Sequence, residues 1–204
     1  VRQILVKELQ ANTIIIGYDH HFGKNRSANI EDLKAFSKRY NFEVQEINAL
    51  TVNHVNISST KIRTALSDGN VTLANEYLGY NYCLTGQVVE GKKLGRTLGF
   101  RTANIHIDAT YKLIPKDGVY VVTSTQNGQT LFGMMNIGQN PTVENAASSI
   151  EVHFFDFNKD LYGQNISIKL LKRLRDEQHF KSLEALKLQL KQDRLNSIKY
   201  LNSI

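Results

Sequence analysis

Cysteine and proline are scarce: one Cys83 and two prolines in 204 residues. A single cysteine excludes an intramolecular disulfide framework and fits a reducing compartment, the cytoplasm. Cys83 itself reads as a small buried strand residue rather than a catalytic thiol. Few prolines together with 13 glycines do not make a low-complexity or disordered chain. No apolar run approaches the roughly 18 residues of a membrane span, and no signal-peptide pattern is present. The short phosphate motifs are incomplete as well. Gly86, Gly91 and Lys92 begin G-x-x-x-x-G-K-S/T, but Lys93 stands where the magnesium hydroxyl belongs. No G-x-G-x-x-G occurs.

What is present is an apolar share of 41%, enough for a core, and a formal charge of +6. The length allows one large or two small domains. The positive balance suits anionic ligands such as nucleotides, and also nucleic acid or acidic membranes. The chain opens on Val1 within a helical spacing, so a piece of a longer protein is expected.

Two regimes of periodicity succeed one another along the chain. Residues 1–10 have helical spacing, and 13–17 (TIIIG) read as a short buried parallel strand. Residues 30–40 form an amphipathic helix, 42–47 alternate like a strand, and 58–66 and 71–78 are further helices. This α/β pattern is too short for a full doubly wound domain. After Gly79 the runs become β-branched and aromatic: 82–89, 119–125, 130–137, 149–155 and 166–171. Turn signals such as Asp117-Gly118 and Asn127-Gly128 divide them. Five or six short strands predict a small antiparallel β-barrel. Residues 182–192 close it as a helix with Leu183, Leu186 and Leu190 on one face, and 195–204 extend that helix. The expected fold class is therefore α+β, with an α/β part over 1–81 and a barrel over 82–204.

The stretch with most chemistry is 86–105, GQVVEGKKLGRTLGFRTANI. Gly86, Gly91, Gly95 and Gly99 recur every four or five residues, with Lys92, Lys93 and Arg96 between them and Thr102 and Asn104 at the end. Glycines let backbone N–H groups approach an anion, and Thr and Asn oxygens suit Mg²⁺ or a phosphate. By spacing alone, a glycine-rich surface loop fits as well as a nucleotide site. Two earlier segments have similar ambiguity. Residues 17–29, GYDHHFGKNRSAN, come after a strand, where open α/β sheets bind ligands. Residues 57–63, ISSTKIR, put N-cap residues ahead of Lys61 and Arg63, and a well-capped helix with a basic face explains them equally.

Residues 86–105 resemble the nucleotide loop of riboflavin kinases, the C-terminal module of bacterial bifunctional FAD synthetases. That pattern runs G-x-V-x-x-G-x-x-x-G-R-x-L-G-F-P-T-A-N-I. It is matched throughout except at Arg101, where the family usually has proline. Further matches are residues 114–120 (IPKDGVY), 133–142 (GMMNIGQNPT), 149–157 (SIEVHFFDF) with Leu161-Tyr162-Gly163, and Leu174-Arg175 with Glu177 and Phe180. The resemblance spans 84–193 in the family's order. It implies transfer of the ATP γ-phosphoryl to the riboflavin 5′-hydroxyl, giving FMN and ADP, with Mg²⁺ as cofactor. By the same resemblance, Gly91, Lys92, Lys93, Gly95, Arg96, Thr102 and Asn104 hold the phosphates, and Thr102 and Asn104 also hold the metal. Glu151 is the catalytic carboxylate, and alternation sets it and His153 opposite Ile150, Val152 and Phe154. Arg175 and Asn136 serve the flavin, with a salt bridge from Arg175 to Asp176 or Glu177 and a turn role for Asn136 as alternatives.

Residues 17–24 and 58–63 resemble the adenylyltransferase module of the same enzymes, which has G-x-D-x-x-F-G-K and S-S-T-x-I-R. Asp19, Phe22 and Gly23 match the first, and Ser58, Ser59, Thr60 and Arg63 the second. The family's H-x-G-H motif is missing, and adjacent His20 and His21 cannot replace it. The chain is thus expected to make FMN without making FAD. Its partners are expected to be small molecules, with no nucleic acid and no membrane. Two other readings are a non-catalytic flavin- or nucleotide-binding remnant and a basic nucleic-acid-binding barrel. The second lacks aromatics interleaved with its cations.

Overall fold

The computed structural model describes residues 1–48, 51–52, 55–91, 94–138 and 149–204. The chain divides into two compact units, Val1–Ile57 and Ser58–Ile204.

The first unit begins with a π-helical turn, Arg2–Glu8, where an ordinary helix was expected. β1 (Thr13–Gly17) pairs in parallel with β2 (Glu43–Ile47), and α1 (Ile30–Tyr40) connects them. α1 starts where the sequence dictates: Asn29 accepts from the N–H groups of Glu31 and Asp32, and Asp32 accepts from Asn29 N–H in return. Ile16, Leu33 and Phe42 are its buried core. Ile15 is 60% exposed, so β1 is covered on one side only and not on both as expected. A minimal hairpin, β3 (Thr51–Val52) and β4 (Val55–Asn56), ends the unit.

The second unit opens with α2 (Ser59–Ser67) and α3 (Val71–Leu78), capped by Ser58 and Asn70. Both helices are bonded to the later part of the unit: the Asn75 amide donates to the Leu170 carbonyl at 2.8 Å, and Lys116 N–H donates to the Leu66 carbonyl at 3.1 Å. The compact division therefore falls before α2, whereas the change of period falls after α3.

Six strands close into an antiparallel barrel in the order β10-β5-β6-β9-β8-β7. They are β5 (Cys83–Val89), β6 (Ala103–His106), β7 (Gly118–Gln126), β8 (Gln129–Gly138), β9 (Ser149–Phe154) and β10 (Asn165–Arg175). Between β5 and β6 lies one helical turn, α4 (Leu94–Thr97). Alternation turns Leu84, Val88, Ile105, Tyr120, Val122, Met135, Val152, Ile166 and Ile168 inward. Outside the ring a smaller core joins Leu98, Phe100, Val119 and Met134 to Leu186 and Leu190 of α5 (Leu183–Leu201). Leu183 is 51% exposed, so the buried stripe of α5 runs on through Asp193 and Ser197 instead of starting at Leu183.

Candidate functional site

One row of paired residues runs across the outer face of the barrel. Val89 of β5 lies opposite Asn104 of β6, Asn104 opposite Glu151 of β9, and Glu151 opposite Asn136 of β8. Asn136 lies opposite Val119 of β7, and Val119 opposite Arg175 of β10. Directly paired residues share a face, with Cβ atoms about 5 Å apart. Glu151 is half-buried on a strand whose Ile150, Val152 and Phe154 point into the core. That is the alternation expected from the sequence.

Thr102 precedes β6 by one residue and shares Asn104's parity. Its hydroxyl donates to Glu151 Oε2 at 3.0 Å. With its proton directed at the carboxylate, the Thr102 oxygen keeps its lone pairs for another partner, a cation or a donor. The Asn104 amide comes so close to Gly91 that any Cβ there would overlap it. Thr102, Asn104, Glu151 and Asn136 thus stand on one face of the barrel.

The other expected residues are spread over both units. Gly95 lies in α4 against the Phe100 carbonyl, with no room for a side chain, and Arg96 is exposed on the same turn. Leu98 and Phe100, buried in the outer core, anchor the loop to the barrel. Lys92 and Lys93 lie outside the described residues, as do residues 139–142 of GMMNIGQNPT. Asp19, Phe22 and Gly23 occupy the loop after β1, where Phe22 and Ala28 exchange backbone hydrogen bonds. Ser58, Ser59, Thr60 and Arg63 belong to the second unit, at the start of α2.

Arg175 is more engaged than the sequence suggested. Its Nε and Nη2 grip both oxygens of Asp193 on α5, at 2.9 and 2.7 Å, and Asp193 is 1% exposed. Gln189 donates to the same carboxylate. The alternative salt bridge to Asp176 or Glu177 is not the one formed: Asp176 pairs with Arg173 and Lys116. Arg173 and Lys116 hold the Asp176 carboxyl below its ordinary pKa. Glu177 lies over Gly138, leaving no space for a Cβ there. Asp193 escaped the sequence reading because an acid inside a leucine-rich helix looks like a solvated residue.

His153 lies on the site's flank. Its Nδ1 bonds the Arg101 carbonyl at 2.8 Å, and since a carbonyl only accepts, Nδ1 carries the proton. Phe100 and Phe155 meet its ring edge-on. Burial pushes its pKa below 6.5, against the opposing effect of the Arg101 carbonyl. A cleft opens between β6 and the turn after β9, lined by the inward-facing Val88, Ala103, Val152 and Phe154 together with Arg101, Thr102, Lys159, Asp160 and Tyr162; Asn104 and Glu151 do not line it. Among the described residues no cluster of three His, Cys, Asp or Glu forms a metal cage, and no helix is long and apolar enough to cross a membrane.

Comparison with known proteins covers both units. The family described as Flavokinase: Riboflavin kinase matches residues 78–201, and FAD synthetase matches residues 1–61. The chain is 37% identical to the bifunctional riboflavin kinase/FMN adenylyltransferase of Haemophilus influenzae, covering 100% of this chain and 66% of that protein. Identity is 41% to the protein of the same name from Buchnera aphidicola, with 98% and 64% covered. It is 38% to that of Escherichia coli K12, with 97% and 63% covered. The chain therefore spans just under two thirds of these relatives. A crystal structure titled as a macrolide-efflux protein from Streptococcus pneumoniae is also similar, with a TM-score of 0.84 and 36% identity. The match covers 94% of this chain and 62% of that one.

Proposed function

Because the chain belongs to the riboflavin kinase family, we propose that it transfers the γ-phosphoryl group of ATP to the 5′-hydroxyl of riboflavin, giving FMN and ADP. The supporting observation is the row Asn104–Glu151–Asn136 with the Thr102 hydroxyl bonded to Glu151. Phosphoryl transfer asks a protein to position two substrates in line and to stabilise charge. The row offers a place for each. Asn104, Thr102 and the glycine loop lie on one side of Glu151 for the nucleotide. Asn136 and Arg175 lie on the other side for the flavin, and the carboxylate stands between them.

Glu151 orients the riboflavin hydroxyl and takes its proton as the oxygen attacks phosphorus. Thr102, its own proton engaged by Glu151, keeps oxygen lone pairs for a cation that accompanies the phosphates. Thr102 and Asn104 offer neutral oxygens, a donor set that fits Mg²⁺ arriving with the nucleotide and most of its waters. When bound there, Mg²⁺ neutralises charge on the phosphate oxygens. Arg175 is assigned to the flavin side as a residue held in place by Asp193.

Residues 1–81 are assigned by sequence kinship to an adenylyltransferase part and 82–204 to the kinase part. Without H-x-G-H, adenylyl transfer to FMN is not expected from this sequence. The proposed location is the cytoplasm, where ATP is available. The test is to incubate the chain with riboflavin and Mg-ATP and separate the flavins: FMN without FAD is expected. Glu151→Gln is expected to keep the fold and lower FMN formation by about a hundredfold or more. Unchanged turnover in that variant would remove the carboxylate from the mechanism.

A further inference from the structure

β6 and β9 are joined by two ladder pairs, Ala103 with Val152 and Asn104 with Glu151. Upstream of Ala103 the joining contacts come from side chains of β9. His153 Nδ1 donates to the Arg101 carbonyl at 2.8 Å, and Glu151 Oε2 accepts from the Thr102 hydroxyl at 3.0 Å. Glu151 and His153 stand two residues apart on one strand and share its outer face. Together they grip two consecutive residues, Arg101 and Thr102.

The two grips are mechanically linked. A peptide unit is planar, so a carbonyl and the N–H that follows it move as one plate. Holding the Arg101 carbonyl fixes the plate that ends at the Thr102 nitrogen and restricts the rotations that aim the Thr102 Cβ. Threonine is β-branched and stiff at χ1, so with its backbone set the hydroxyl has few directions open to it. The imidazole is itself held. Phe100 and Phe155 meet it edge-on, with ring centroids 5.2 and 5.9 Å away. Met134, its neighbour across β8, is buried in the outer core. With Nδ1 engaged by a backbone carbonyl, that proton serves the path of the chain and not the reacting hydroxyl.

We propose that His153 is a positioning residue for phosphoryl transfer: its hydrogen bond to the Arg101 carbonyl keeps the Thr102 hydroxyl on Glu151. The proposal rests on the kinase reading and deepens it, adding a residue that acts on the reaction only through Thr102.

The test uses the 204-residue chain with His153→Phe, His153→Asn, Thr102→Val and the double variant of His153→Phe with Thr102→Val. Phenylalanine keeps the ring contacts and loses the donor. Asparagine loses the ring and puts an N–H donor where Nδ1 was. Packing therefore ranks His153→Phe above His153→Asn in thermal melts, and positioning ranks them the other way in FMN formation. His153→Phe is expected to lower kcat about tenfold, the size of one well-placed hydrogen bond, with KM for riboflavin unchanged. His153→Asn should recover part of that loss. In the Thr102→Val background His153→Phe should have no further effect, because the residue it acts through is gone. An unchanged kcat in folded His153→Phe would overturn the proposal. So would the same loss repeated in the Thr102→Val background, or activities that follow the melting temperatures. The Thr102 amide, followed in proton–nitrogen correlation spectra, gives a readout that needs no turnover. It should shift in His153→Phe and return part of the way in His153→Asn. A folded wild-type chain that makes no FMN would remove the kinase reading, and an unmoved Thr102 amide would separately remove the positioning role.

Discussion

At Gly91 the backbone runs so close to Asn104 that a methyl group has no room. Gly91→Ala must push the Asn104 amide aside or shift the loop. Because Asn104 faces Glu151 directly across β6 and β9, the expected result is a fall in FMN formation of about tenfold or more, with little change in melting temperature. Steady-state kinetics beside a thermal melt would check it. His153 makes a prediction about pH. Its pKa in the folded protein lies below 6.5 because it is buried, so the unfolded chain takes up the proton first as pH falls. The stability linked to this residue is complete above pH 6.5 and is lost on acidification below it. Urea midpoints at about pH 7.5 and 5.5 should therefore differ less in His153→Gln than in the wild type. At this scale the sequence was informative for residues named by a motif. Thr102, Asn104 and Glu151 lie where the glycine loop and strand alternation put them. Arg101 was visible as a departure from the pattern, but its bonds to Asn158 and from His153 depend on β9 and the turn after it, more than fifty residues away.

Among the elements, α5 is tied to the barrel by more than its leucines. Asp193, 1% exposed, receives two arms of the Arg175 fork. Asp193→Ala would leave a guanidinium without its counter-ion, and a loss of about 3 kcal/mol is expected in urea unfolding. Asp193→Asn, which keeps an acceptor, should lose less. If Arg175 serves the flavin, both variants should raise KM for riboflavin more than KM for ATP. Arg175 reaches its place opposite Val119 only because β10 slips register twice, between Leu170 and Lys172 and between Arg173 and Arg175. Such bulges insert a residue without changing the apolar pattern much, so no periodicity announces them. β6 was illegible for a related reason. Four residues, Ala103–His106, are too short to show a period, and they sit inside a stretch whose composition says loop. The longer strands and α1, α2 and α3 were legible because their patterns run over enough residues, with caps to mark the helix starts.

As a whole the molecule joins a small core to a large one. Ile16, Leu33 and Phe42 are the buried apolar residues of the first unit, while the second encloses residues from all six strands. Two unequal cores are expected to give two calorimetric transitions, the first unit unfolding at the lower temperature. Mg-ADP should raise the later transition and leave the earlier one where it is. A single sharp transition moved as a whole by ADP would show that the two units unfold together. The order of the strands in the barrel has a consequence for biosynthesis. The row that holds the site draws on chain from Val89 to Arg175, and the last strand made, β10, closes the ring between β5 and β7. A nascent polypeptide still awaiting that strand has most of the ligands but no seam to align them. Ribosome-bound chains halted before residue 165 should therefore be unable to phosphorylate riboflavin, and the capacity should arise late in translation and all at once.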